Sequence, residues 1–252
     1  MSFLQSFLAA IVTFTRIPVP WQLSARDFEK ASLQLPFLGC LIGGLQILVL
    51  ALLEKFLVAD LALFLTMLLP ILLSGGMHED GLADFADGML GGQSIEQRLE
   101  IMKDPRVGSY GVLALLIILP GSYLALLGVQ PDFRPVALLL ATALSRSLCV
   151  MLMAALPYKN HQGSRSHSFL PSSFQGWSRL FPHWPLVPLV LYLQDEKAIL
   201  SFALLLLLIF FWMRSYLQKK LEGLTGDCLG ASIKLSEFGF LLLGSIIWAA
   251  RP

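Results

Sequence analysis

The sequence predicts an all-α fold: a polytopic membrane helix bundle of about seven transmembrane helices plus an N-terminal interfacial helix. Three observations predict it. Hydrophobic residues make up 56% of the 252 positions and charged residues only 14%, against roughly a quarter charged in soluble domains. The apolar residues come in blocks close to the roughly 20 residues that cross a hydrocarbon layer. The Lys and Arg residues gather in alternate connections between those blocks. Mean hydropathy is +0.72.

In chain order, Phe3, Leu4, Phe7, Leu8, Ile11 and Phe14 recur at helical spacing, with Ser2, Gln5, Ser6 and Thr13 on other faces. That pattern predicts a helix lying in the membrane interface, with a short first span as the alternative. The first positive charge, Arg16, follows the apolar stretch, unlike a signal peptide. Spans are expected near 35–54, 59–76, 110–129, 134–156, 182–194, 198–217 and 235–250. Gly43 and Gly44 in the first mark close helix approach. Pro185 and Pro188 make the short fifth the weakest of the seven.

Segments 15–34, 77–109, 157–181 and 214–234 hold 13 of the 18 Lys and Arg; the short connections hold Lys55, Arg134, Lys197 and Arg251. Positive residues prefer the cytoplasmic side, so the long segments belong there. The expectation is one domain, 1–252, with its chemistry on that face. Arg146 falls inside the fourth span and should face a polar cavity or a carboxylate. Net charge is +1, which argues against a nucleic-acid-binding surface. Cys40, Cys149 and Cys228 match no metal spacing and read as reduced, packed thiols.

"GGMHEDGLADFADG", residues 75–88, carries the chemistry. On a helix, Asp80, Asp84 and Asp87 lie within about 60° of one another. Gly88 falls on an adjoining side, where another helix or a phosphate could come close. Farther on, Glu100 and Asp104 share a face at i, i+4, and Gly91–Gly92 could turn the chain so that the two carboxylate groups oppose. Crowded like charges destabilise a helix and raise carboxylate pKa values. A hard dication, Mg²⁺ or in its place Mn²⁺, removes that conflict. Asp84, Asp87 and Glu100 are the expected ligands, with Asp80 as a further ligand or orienting group. Glu79 projects off that face and is left out. His78 is open as ligand, base or hydrogen-bonded structural residue.

In "TRIPVP", Arg16 could grip a diphosphate or serve as a positive anchor. In "GLTGDCLGASIK", residues 223–234, the glycines, Thr225, Gly226 and Asp227 suggest a tight loop whose amides receive phosphate. Asp227 could complete the metal site or accept hydrogen bonds from guanine. A plain turn is the alternative. Segment 158–180 is either an interfacial anchor, through Phe174 and Trp177, or a lid.

Together "TRIPVP", "GGMHEDGLADFADG", "EIMKDPRVGSYG" and "GLTGDCLGA", in that order from Thr15 to about Ala231, resemble the cobalamin synthase family of adenosylcobinamide-GDP ribazoletransferases. The resemblance implies a bacterial inner-membrane, Mg²⁺-dependent enzyme. It would join adenosylcobinamide-GDP to α-ribazole, or its 5′-phosphate, and release GMP. The partners expected are those small molecules and the bilayer, with a homo-oligomer left open. On that reading Asp104 is the expected general base, assisted by Asp80. Lys103, Arg106 and Arg16 would neutralise charge in the transition state, with Arg146 as a further substrate contact. A looser likeness covers the CDP-alcohol phosphotransferases: Asp84, Asp87 and Gly88 match their first part, but Glu100 stands where they have Asp. A lipid phosphotransferase and a divalent-cation transporter are the competing functions.

Overall fold

The computed structural model describes residues 3–159 and 195–249. The described residues are helical throughout, joined by turns and two isolated β-bridges. The predicted fifth span, 182–194, and nearly all of segment 158–180 lie outside them.

The first helix, α1 (Phe3–Phe14), has 12 residues, about 18 Å at 1.5 Å per residue, too short to span. It buries Ser6, Ala9 and Ala10, with Ser6 Oγ accepting from Gln34 Nε2 at 3.1 Å, and exposes Phe3, Leu4 and Val12. A short helix α2 (Ala25–Glu29) and a 3-10 turn (Ala31–Gln34) lead into α3 (Leu35–Leu53). Next come α4 (Ala59–Ser74), α5 (Met77–Gly91), α6 (Ile95–Ile101), α7 (Ser109–Leu127) and α8 (Arg134–Ala155). After the undescribed segment follow α9 (Glu196–Leu221) and α10 (Gly226–Ile247).

Among the described residues five helical segments are long and apolar enough to cross a membrane, and six if α4 and α5 count as one bent span. The sequence placed six spans in this part of the chain, so the count of seven is an approximation. The last span differs most: α10 begins at Gly226, not near 235. The expected loop at 226–234 is therefore helix. Thr225 caps it, accepting from Cys228 N at 3.3 Å. Lys234, which marks a polar border in sequence, is instead buried in ion pairs.

Small residues set the helix approaches. A Cβ on Gly39 would meet Thr142 O at 2.5 Å, and one on Gly43 would meet Thr142 Oγ1 at 2.6 Å, so α3 lies backbone to backbone on α8. Gly44 faces open space and plays no such part. Leu63, Leu126, Leu138 and Phe240 fill one core cluster; Leu148, Leu152, Met213 and Leu217 fill a second, nearer the end where the long segments gather.

That end carries the site. Gly75 (φ 67°) and Gly76 (φ 80°) adopt the left-handed conformation that glycine tolerates, and between them the chain bends by 84°. Helix α5 therefore leaves the line of α4 and lies across the end of the bundle. It packs on the first turns of α7, at Gly108 and Gly111, and of α10, at Asp227 and Gly230.

Candidate active site

Helices α5 and α10 cross at close range through Gly81 and Gly230. A Cβ on Gly81 would sit 3.2 Å from Asp227 Cα, and one on Gly230 would sit 3.2 Å from the His78 carbonyl oxygen. This crossing brings Asp227 to the α5 carboxylates. Asp84 records it: burial first, then Asp80, Asp227 and Asp87, push its carboxyl pKa up to about 6. The carboxylate face expected on residues 80–87 thus forms, with Asp227 as its fourth member.

Asp87 has a second task. Its oxygens accept from Gly108 N at 2.7 Å and Gly111 N at 2.9 Å, so it caps α7 across the chain. Any side chain at Gly108 or Gly111 would collide with it. A carboxylate oxygen has two lone pairs, so this cap leaves Asp87 able to take a further partner.

The second carboxylate pair does not join this cluster. Gly91–Gly92 does end α5, and Ser94 starts α6 with a reciprocal cap to Gln97. But Glu100 and Asp104 line a separate shallow depression with Gln93 and Gln97. Arg106 grips Asp104 through Nε at 2.9 Å and Nη2 at 2.6 Å. That holds the Asp104 carboxyl down at about 2, which makes it a poor proton acceptor as it stands here. Arg106 is thereby engaged, and Lys103 is exposed beside them.

Three other expectations are corrected. Gly88 makes room for α6, not for phosphate: a Cβ there would meet Met102 Cγ at 2.6 Å and Arg98 O at 2.9 Å. Arg146 has the expected carboxylate, Glu237, but is buried in the bundle and cannot reach a substrate at the surface. Thr225 is buried as the cap of α10. Gly226 is exposed at the first position of that helix. Arg16 donates its backbone N–H to Leu73 O at 2.7 Å, and its side chain lies over Gly75 at the bend, exposed on the same end.

Two features escaped the sequence. One is an ion network beneath the carboxylates. Lys234 Nζ reaches Glu79 Oε1 at 3.1 Å and Glu237 Oε2 at 2.9 Å, and Arg146 closes on Glu237. Lys234 lies seven residues after Asp227, hence on the same face of α10, and that spacing was the available signal. The other is a cavity of about 320 Å³ beside the carboxylates. Asp80, Asp227, His78 and the glycines 226 and 230 form one wall; Phe14, Ser32, Leu35, Met153, Tyr158 and Ile233 contribute to the rest. Burial and Arg146 push the His78 pKa down to about 3, so its imidazole is neutral at physiological pH.

As the side chains stand, no group of three His, Cys, Asp or Glu among the described residues is set to hold a metal ion. The donor set of Asp80, Asp84, Asp87 and Asp227 still fits a hard dication. All its donors are carboxylate oxygens, and Asp84 shows their mutual repulsion.

A family model described as cobalamin-5-phosphate synthase matches residues 6–245. An adenosylcobinamide-GDP ribazoletransferase of Vibrio cholerae is 38% identical over 246 residues, covering 95% of this chain and 93% of the relative. One of Polaromonas is 36% identical, covering 95% and 96%. No solved structure matches. The motifs of the carboxylate face and the α10 cap lie within a match that takes in nearly the whole chain, and the chain belongs to the cobalamin-5-phosphate synthase family.

Proposed function

We propose that the protein is a Mg²⁺-dependent adenosylcobinamide-GDP ribazoletransferase of the bacterial inner membrane, with α5 facing the cytoplasm. The near-full-length match to relatives of that name carries the reading. The cluster of Asp80, Asp84, Asp87 and Asp227 supplies the chemistry. The ribose 3′-hydroxyl of α-ribazole attacks the phosphorus that bears cobinamide. The bond from that phosphorus to the GMP oxygen breaks, GMP leaves, and the hydroxyl proton passes to a carboxylate.

Asp84, Asp87 and Asp227 would hold Mg²⁺, which when bound neutralises charge on the transferring phosphoryl group and its leaving oxygen. Asp80, which lines the cavity, would take the proton. Gly226, exposed at the head of α10, would offer its amide to an anion, as helix N-termini do. Arg16, on the same end, supplies positive charge for the diphosphate.

The decisive assay supplies purified protein and Mg²⁺ with adenosylcobinamide-GDP and α-ribazole, and separately with CDP-diacylglycerol and an alcohol acceptor. GMP release in the first and no CMP in the second is expected. CMP release would instead establish the lipid phosphotransferase. Mg²⁺ flux into proteoliposomes without nucleotide would point to a transporter.

A further inference from the structure

The cavity beside the carboxylates has a chemistry that chooses between the two nucleoside-bearing substrates. At about 320 Å³ it is at the small end of ligand sites, enough for one ring system and far too small for a corrin. Its walls away from the carboxylates are mainly apolar, with Phe14, Leu35, Met153 and Ile233 among them. The two helices of the reaction centre, α5 and α10, contribute Asp80 and Asp227 to its edge, so a base seated inside leaves its ribose at those carboxylates.

Within this lining, Ser32 is 1% exposed and its Oγ has no hydrogen-bond partner among the described residues. A buried hydroxyl left unpaired is costly and signals a missing partner. Cys149 Sγ already donates to Leu229 O, and Thr13 Oγ1 to Ala9 O. Of these three side chains only Ser32 keeps an uncommitted donor.

Guanine presents several donors and acceptors around its ring, most of which the apolar walls away from the carboxylates would leave unsatisfied. The benzimidazole base of ribazole presents a single ring nitrogen, an acceptor, and is otherwise apolar. We infer that the cavity seats the aromatic base of the acceptor nucleoside, with the Ser32 hydroxyl donating to its free ring nitrogen, and that guanine binds elsewhere. The inference rests on the acceptor proposed above, and it makes Ser32 a specificity-determining residue.

Calorimetric titration of the full-length protein in detergent tests it without turnover. The probes are α-ribazole, its indole analogue with C–H in place of the free ring nitrogen, and guanosine. Unsubstituted protein should bind α-ribazole about tenfold more tightly than the indole analogue, the usual worth of one such hydrogen bond. Ser32→Ala should erase that difference and leave the analogue's affinity within about twofold. The substitution removes only an unpartnered hydroxyl, so the fold should survive. Guanosine should fail to displace α-ribazole. Competition by guanosine, equal weakening of both probes by Ser32→Ala, or no α-ribazole binding overturns the inference. Protein that binds α-ribazole through Ser32 but releases no GMP overturns the reaction and leaves the cavity assignment standing. Normal turnover in protein whose Ser32→Ala variant still prefers α-ribazole to the indole analogue by about tenfold overturns the cavity assignment and leaves the reaction standing.

Discussion

Glu79 and Asp80 are neighbours in the chain, yet they belong to opposite electrostatic arrangements. Glu79 joins Lys234, Glu237 and Arg146, two acids and two bases that cancel. Asp80 joins Asp84, Asp87 and Asp227, four acids that repel. Among the described residues no Lys or Arg ion pair reaches Asp80, Asp84 or Asp87. The balanced set is buried and ties α5, α8 and α10 together. The unbalanced set faces the end of the bundle, beside the cavity. Self-compensation is what a structural network needs, and an uncompensated cluster is where a cation and a phosphate are to be expected. Removing one charge should therefore do opposite things in the two sets.

The largest effect separates them outright. Asp84→Asn should slow GMP release by about 100- to 1000-fold or more, the usual loss of a transition-state electrostatic contact. The metal-free protein should melt at the same temperature or higher, because one repelling charge is gone. Near-normal Mg²⁺-dependent turnover in Asp84→Asn would remove the cluster from the chemistry. Lys234→Met should do the converse. It strands Glu79 without a cation while Glu237 keeps Arg146, and breaking a buried pair in this way typically costs about 3–5 kcal/mol. Thermal unfolding in detergent should show the loss, and Glu79→Gln added to Lys234→Met should recover part of it, since Arg146 still neutralises Glu237. An unchanged melting temperature would mean that the network does not hold the helices.

Proton competition gives the next effect. Asp84 in the folded protein has a pKa of about 6 against 3.8 for a free Asp. The folded state thus holds a proton that the unfolded chain has released, and metal-free stability should fall as pH rises from about 4 to 6. Metal binding must displace that proton. The Mg²⁺ concentration for half-maximal turnover should rise by up to about tenfold per pH unit below 6 and level off above it. A Mg²⁺ requirement flat from pH 5 to 7 would detach Asp84 from the metal.

How far the sequence revealed this contrast depends on whether each partner was local. The carboxylate face on residues 80–87 is a matter of helical spacing within one element. Arg146 was recognisable as a cation in need of a carboxylate. Its partner was not, because Glu237 is 91 residues away. Lys234 misled, since a charge at the edge of an apolar run reads as a span boundary until Glu79 is seen to bury it. The cavity draws on α1, the 3-10 turn, α5, α8 and α10, and no periodicity in one of them discloses it. Glu100 and Asp104 share a face as expected, but spacing cannot say toward what that face turns.

Asp104 offers the finest test, because the sequence reading and the geometry assign it different work. As a general base its loss should cost turnover heavily, typically by about 100-fold or more. As placed here, it is clasped by Arg106 and belongs to neither charge set. Asp104→Asn should then slow GMP release by no more than about fivefold, the scale of one exposed ion pair, and it should leave the pH profile unmoved. Asp80→Asn, by contrast, should depress turnover far more than the affinity for α-ribazole. If Asp104→Asn instead abolishes turnover and erases the acidic limb of the profile, then α6 must swing toward α5 when substrate binds. The separation of Glu100 and Asp104 from the cluster would then belong to the ligand-free state alone.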